Sequence, residues 1–152
     1  MRAIVAETRV FESWLDYQEA LKRAIAPLTA EQLGRRILPS LRTPGEIAEH
    51  IVFGRALHLH HTLGESAAAL VPLIAWGEPN AAPQSAAEIV RGLALTWQFI
   101  TECLQSGSPT STLPEAEALS VQTIWGLLDH DLPHAGELSL LLGAAGLPGV
   151  EI

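Results

Sequence analysis

The chain has one cysteine, Cys103, and one lysine, Lys22. A single cysteine rules out an intramolecular disulfide and a multi-cysteine zinc site. Set in an apolar helical pattern, it reads as a small buried hydrophobe rather than a nucleophile. Basic residues are scattered, and the only adjacent pairs are Lys22-Arg23 and Arg35-Arg36. With a net charge of -8 and no basic stripe interleaved with aromatics, the chain is repelled by phosphate backbones and anionic headgroups. Nucleic-acid partners are therefore not expected. Long apolar runs are missing too, none approaching the ~20 residues that span a bilayer. The opening MRAIVAETRV reaches Glu7 too soon for a secretory signal, so the expectation is a soluble cytoplasmic protein with no membrane partner. Strand signals, internal repeats, low-complexity tracts and charged linkers are also absent. The 152 residues read as a single domain, 1–152, long enough to bury roughly two thirds of its unfolded surface. Eight arginines against one lysine, with abundant alanine, is the usage of GC-rich bacterial genomes.

What is present is helical periodicity, in four long segments. The first runs from about Ala3 to Ala26, with Phe11, Trp14, Leu21 and Ile25 on one face and Glu12, Asp16, Glu19 and Arg23 mostly off it. Gln18 interrupts that apolar face and hints at a polar cavity. Pro27 ends the pattern, and Thr29-Ala-Glu-Gln32 suits the cap of a short connecting helix. In Thr43-Pro44-Gly45-Glu46 an N-cap, a proline at the first helical position and a capping-box acid stand in order. Ile47, Ile51, Gly54 and Leu57 follow on one face, and Gly64 is the expected stop. Ser85 and Glu88 form another capping box, opening a third helix through Ile89, Leu93, Trp97, Ile100 and Leu104, with Gly107 and Pro109 beyond it. Ser120 suits the cap of a fourth, through Val121, Ile124, Trp125 and Leu128 to about Gly143. The fold class is all-α, most simply a four-helix bundle. The connection from Glu65 to Gln84 exceeds what antiparallel neighbours need. It could return the chain along the bundle, making the second and third helices parallel.

Six histidines are the one feature that promises chemistry. His130 and His134 are one turn apart, with Cβ atoms roughly 6 Å apart on a regular helix, and can face one transition metal. A catalytic site needs a third ligand, and His50 is the best donor. It lies two turns into the second helix on its apolar face, where an unpartnered imidazole is costly, and Gly54 leaves room beside it. Spacing alone keeps a plainer alternative standing. A core histidine is usually satisfied by a carbonyl or carboxylate, and an i,i+4 pair commonly decorates a surface. His58, His60 and His61 form a denser cluster with poorer geometry, better suited to a solvated helix end or an oligomer surface. Glu137, one turn after His134, could orient it. Asp131 and Glu49 flank ligands but point to other faces, which suits solvation. Trp76, in the long connection, could close a cavity or pack on the bundle end.

Glu46-Ile-Ala-Glu-His50-Ile51 after a Thr-Pro cap, followed by His130-Asp131-x-x-His134-x-Gly136-Glu137-Leu138 and a closing Gly143-Ala-Ala-Gly146-Leu-Pro148, resembles the DinB/YfiT-like helical metalloproteins across essentially the whole chain. The resemblance implies a four-helix bundle with a long crossover connection (up-down-down-up), commonly homodimeric. It implies a divalent metal, zinc or nickel, held by three histidines that match His50, His130 and His134. It also implies a small-molecule substrate, with the metal activating a low-molecular-weight thiol or water, as in thiol S-transferases or hydrolases. The alternative is a non-catalytic homodimeric binding or scaffold domain with a vestigial or sensory metal site. Neither implies a DNA-binding role. Pro133 departs from the family pattern. It removes a backbone donor and clashes with the Asp129 carbonyl, typically costing about 3 kcal/mol inside a helix. Either the helix kinks and keeps both imidazoles inward, or it stops and restarts with His130 turned away. The continuous apolar surface of Leu127, Leu128, Leu132 and Leu138 favours the kink.

Overall fold

The computed structural model describes residues 2–105 and 121–151, with side chains from 12–104 and 123–151. Among them every regular element is helical: α1 (Arg2–Ile25), α2 (Ala30–Leu33), α3 (Pro44–Leu63), α4 (Val71–Ile74), α5 (Ala86–Gln105) and α6 (Val121–Ala144). Among the described residues no helix is long and apolar enough to cross a membrane.

Local chemistry sets the boundaries. At α3 the Thr43 hydroxyl accepts from the Glu46 N–H at 3.1 Å, and the Glu46 carboxylate accepts from the Thr43 N–H at 2.6 Å. Thr29 with Gln32 and Ser85 with Glu88 repeat this reciprocal cap at α2 and α5. Each pair satisfies two N–H groups that a helix start leaves unpartnered. The caps expected from sequence are thus formed, whereas Gly107, Pro109 and Ser120 lie outside the described residues. Gly64 ends α3 at φ 57°. At the end of α6, Gly146 sits at φ 75°. Its N–H donates to Gly143 O at 3.0 Å and that of Leu147 to Leu142 O at 2.9 Å, the paired bonds of a Schellman ending.

The long connection is ordered rather than loose. Residues Gly64–Leu70 and Ala75–Gly77 wind as 3₁₀ turns on either side of α4. Ala67, Leu70 and Leu73 are buried against the core. Trp76 packs on it, and a Cβ at Gly92 would stand 3.0 Å from the indole.

α3 lies at the centre, packed most extensively on α6 and next on α5 among the long helices. Contacts along α3 and α6 run in opposite order: His50 meets His134, Gly54 meets His130, and His58 meets Gly126. Along α3 and the segment leading into α5 they run in the same order, Glu49 receiving the N–H of Gln84, just before α5, and Val52 meeting Gly92 within it. α1 opposes α5, with Trp14 edge-on to Trp97 and Gln18 bonded to the Leu93 carbonyl. Leu21, Ile25, Ile47, Ile51, Leu93 and Leu138 are fully buried, each contributing roughly 1.5–3 kcal/mol of transfer free energy.

A polar network crosses this core. Arg55 and Asp131 are both 0 % exposed. Arg55 Nε donates to Asp131 Oδ2 at 2.6 Å, and Nη2 lies 2.6 Å from the same oxygen without the angle of a hydrogen bond. Nη1 donates to Gln18 Oε1 at 2.7 Å, and Gln18 Nε2 donates to Leu93 O at 3.0 Å. The Tyr17 hydroxyl donates to the Asp131 carbonyl at 3.2 Å. Burial, then the Asp131 charge, holds that phenol well above its usual range. One guanidinium therefore ties α1, α3 and α6 together, and through Gln18 reaches α5. This corrects the solvated role expected for Asp131, and it gives Gln18 a defined partner. Glu49 is corrected likewise, since it is half-buried and accepts from Gln84 N–H at 2.8 Å.

Removing one member of a buried pair strands the other charge, which typically costs about 3–5 kcal/mol. Asp131→Ala is therefore expected to lower the urea midpoint several-fold more than Thr43→Ala, a lost cap worth ~1 kcal/mol. Equal small losses in equilibrium unfolding would contradict the role given to the pair.

Candidate metal centre

His50, from the second turn of α3, meets His130 and His134 from the middle of α6. Ring centroids are 5.1 Å apart for His50–His130, 4.6 Å for His50–His134 and 4.9 Å for His130–His134. One nitrogen from each ring lies within 4.8 Å of the other two, so the three could hold a metal ion. Points no more than 4.8 Å apart fit within a circle of radius about 2.8 Å. A zinc–imidazole bond of roughly 2.0–2.1 Å then needs each ring to close by less than an ångström.

The donor chemistry also fits. His130 Nδ1 lies 3.4 Å from Asp131 Oδ1, and His134 Nδ1 lies 3.3 Å from Glu137 Oε2. Both contacts are long for charge-assisted hydrogen bonds. They nevertheless place a carboxylate at each Nδ1, which favours the proton there and leaves Nε2 as the lone-pair donor. Glu137 thus stands where the sequence placed it. Asp131 was missed, because its other oxygen is committed to Arg55, 76 residues away in the chain.

Gly54 supplies the space, though for a different imidazole than the spacing suggested. A Cβ at this position would stand 2.1 Å from His130 Cε1 and 2.4 Å from Nε2. The His130 ring therefore lies directly on the α3 backbone.

Pro133 does not stop the helix, since α6 continues unbroken across it. The restart that would have turned His130 away does not occur. Asp129, Leu132 and Pro133 are all on the exposed side. The carbonyl that loses its partner therefore faces water, and the penalty of an interior proline is softened.

A cleft of about 290 Å³ opens from the site along the α3–α6 groove. His50, Gly54 and His130 line one end, His58, His61 and Gly126 the other, with Phe53, Leu57 and Leu127 between. His58 is half-buried against Gly126, where a Cβ would stand 2.9 Å from its Cε1. The surface role expected for His58 is therefore corrected. Its cue would have been the opposed glycine on another helix, which spacing within α3 does not reveal. Trp14 lies in the core and Trp125 is 66 % exposed, so neither blocks the cleft.

Burial, then Arg42 and the neighbouring His134 and His130, pushes the His50 pKa down to about 4, against a pull upward from Glu137. A metal ligand must be neutral, so His50 keeps its lone pair available well below neutrality. The sign for stability follows directly. Unfolded His50 takes up a proton near pH ~6.5, whereas the folded residue resists until about 4. Between those values the unfolded state holds more protons, and stability falls as pH falls. The metal-free protein is expected to lose melting temperature across that window, with a shallower slope in His50→Gln. Identical slopes would sink this account of His50.

A second expectation concerns Gly54. Alanine there gains up to about 1 kcal/mol of helix propensity but displaces the His130 ring. Gly54→Ala should keep its far-UV circular dichroism and lose at least about tenfold in zinc affinity, the scale of other disturbances around a ligand. Unchanged affinity in a chelator competition would refute the seating of His130.

Compared with known proteins, the chain matches no family model, no curated protein and no solved structure.

Proposed function

We propose that the chain is a metal-dependent enzyme of the DinB/YfiT-like kind, in which His50, His130 and His134 hold zinc or nickel and act on a small molecule. The observation that carries this reading is the gathering of three imidazoles from two helices at the inner end of an open cleft. The proposed architecture is a four-helix bundle, up-down-down-up. Its support is the contact order, opposed for α3 with α6 and for α1 with α5, and shared for α3 with α5.

A divalent ion bound by three neutral imidazoles would supply undiminished positive charge, favouring thiolate over thiol or hydroxide over water. The chain's own residues divide the remaining work. Asp131 and Glu137 orient two rings, Gly54 admits one of them, and Phe53, Leu57 and Leu127 keep the cleft walls apolar. Among the described residues no serine, cysteine or lysine lines the cleft, and Cys103 is buried in the core. The nucleophile in this reading comes from outside, as a low-molecular-weight thiol or as water. The reaction class is thiol transfer to an electrophile, or hydrolysis.

A second reading, a non-catalytic homodimeric domain with a sensory or vestigial site, draws on Trp125, Leu132 and Leu140 of α6. They are 66 %, 49 % and 71 % exposed, and an apolar partner surface would cover them.

Protein prepared without chelator is expected to carry about one divalent ion per chain by elemental analysis, and His50→Ala and His134→Ala are expected to lose it. Metal-loaded protein should accelerate the consumption of some member of a panel of thiol–electrophile pairs and hydrolysable esters or amides. Bound metal with no turnover across the panel would leave the second reading. No bound metal in protein from the native host would remove the metal-dependent enzyme.

A further inference from the structure

We infer that the cleft is a binding site for a ligand with an apolar stem and a carboxylate tail, the tail gripped by His58 and His61. Its far end lies one to two helical turns from the three clustered histidines. At 1.5 Å per residue of α3, His58 is about 12 Å from His50 and about 6 Å from Gly54, on which His130 rests. His58 is seated on Gly126 as His130 is seated on Gly54, so both imidazoles occupy space that the opposite helix leaves empty. Among the described residues neither the His58 nor the His61 ring has a hydrogen-bond partner, and both line the cleft.

The chemistry of the lining points to the tail. In a chain of net charge -8, no aspartate or glutamate among the described residues lines this cleft, and the polar side chains among them are all imidazoles. An imidazole presents an N–H donor whether neutral or protonated. A carboxylate accepts such bonds more strongly than an uncharged oxygen does, and no acidic side chain of the described residues stands in the lining to repel it. Between the two ends the walls are Phe53, Leu57 and Leu127, which suit a short hydrocarbon stem. The volume of about 290 Å³ sits at the small end of ligand pockets. Where it touches catalysis, this inference rests on the metal-dependent reading, and it specifies that reading's substrate or thiol as an ω-carboxylate. The carboxylate subsite itself needs no metal.

The test therefore begins with metal-free, ¹⁵N-labelled protein titrated with hexanoate or hexanol, followed through the imidazole nitrogen resonances. Hexanoate is expected to shift the His58 and His61 signals and to bind about tenfold more tightly than hexanol, the scale of one hydrogen bond to a charged group. His58→Phe combined with His61→Leu should abolish that preference while leaving hexanol binding within about twofold, the apolar walls being intact. Gly126→Ala, which keeps both imidazoles but removes the seat of His58, should weaken hexanoate in the same direction. Equal binding of the two probes overturns the proposal. So does a preference that survives the double variant, or hexanoate shifts confined to His50 and His130. A second arm loads cobalt(II) and compares mercaptohexanoate with hexanethiol through sulfur-to-cobalt absorption. The acid is expected to develop the band at the lower concentration. Failure to take up cobalt, with hexanoate binding as expected, removes the metal reading and leaves the subsite. Cobalt uptake with no advantage for either carboxylate removes the subsite and leaves the metal reading.

Discussion

The contact on which the site depends is the buried pair of Arg55 and Asp131. Consecutive residues of α3, Gly54 and Arg55, face consecutive residues of α6, His130 and Asp131. The first match seats an imidazole on bare backbone, and the second joins two charges in the core. Burying such a pair carries a desolvation cost that apolar residues of similar shape would avoid. What the pair contributes is register. Sliding α6 by one residue would leave a guanidinium and a carboxylate buried without partners, and would drive the His130 ring away from its only seat. Gln18 and Tyr17 extend the constraint to α1, so the three-histidine cluster is held by the whole helical assembly rather than by two helices alone.

Much of this was legible in the residues. Thr43-Pro44-Gly45-Glu46 specifies a helix start through local bonds, and local bonds are what sequence encodes most directly. Gly64 and the proximity of His130 to His134 follow from the same short-range geometry, as does Glu137 beside His134. The buried role of Asp131 was not legible, because it comes from an arginine on another helix and no spacing within α6 announces it. His58 was misplaced for a related reason. Its neighbours in sequence, His60 and His61, suggested a polar helix end, while its environment is set by Gly126. Gly54 was recognised as open space, but which imidazole fills that space depends on how α6 packs.

Pro133 shows how a local violation becomes tolerable. An interior proline is expensive mainly where the carbonyl it orphans cannot reach water. Asp129 and Pro133 both lie on the solvent side of α6, while Asp131, Ala135 and Leu138 are turned into the core. The freed acceptor belongs to a residue on the side open to solvent, and α6 continues across the proline. The histidines are therefore insulated from a proline that stands immediately beside one of them.

The interface of α3 with α6 also reveals what it was not built for. Helices pack 8–10 Å apart through interlocking side chains, and a seam optimised for stability would fill positions 54, 58, 126 and 130 with alanine and leucine. Here two are glycines, each weaker than alanine in a helix by roughly 0.8–1.0 kcal/mol, and two are imidazoles lying on them. The result is an open cleft where an apolar contact would have been cheaper. A chain that forgoes helix propensity and packing at four facing positions, yet rigidly fixes their register through a buried ion pair, gains little stability from doing so. Such local departures from good packing concentrate where function requires them. The same reasoning ties the two ends of the cleft together, since one device, an imidazole resting on the opposing glycine, is used at both.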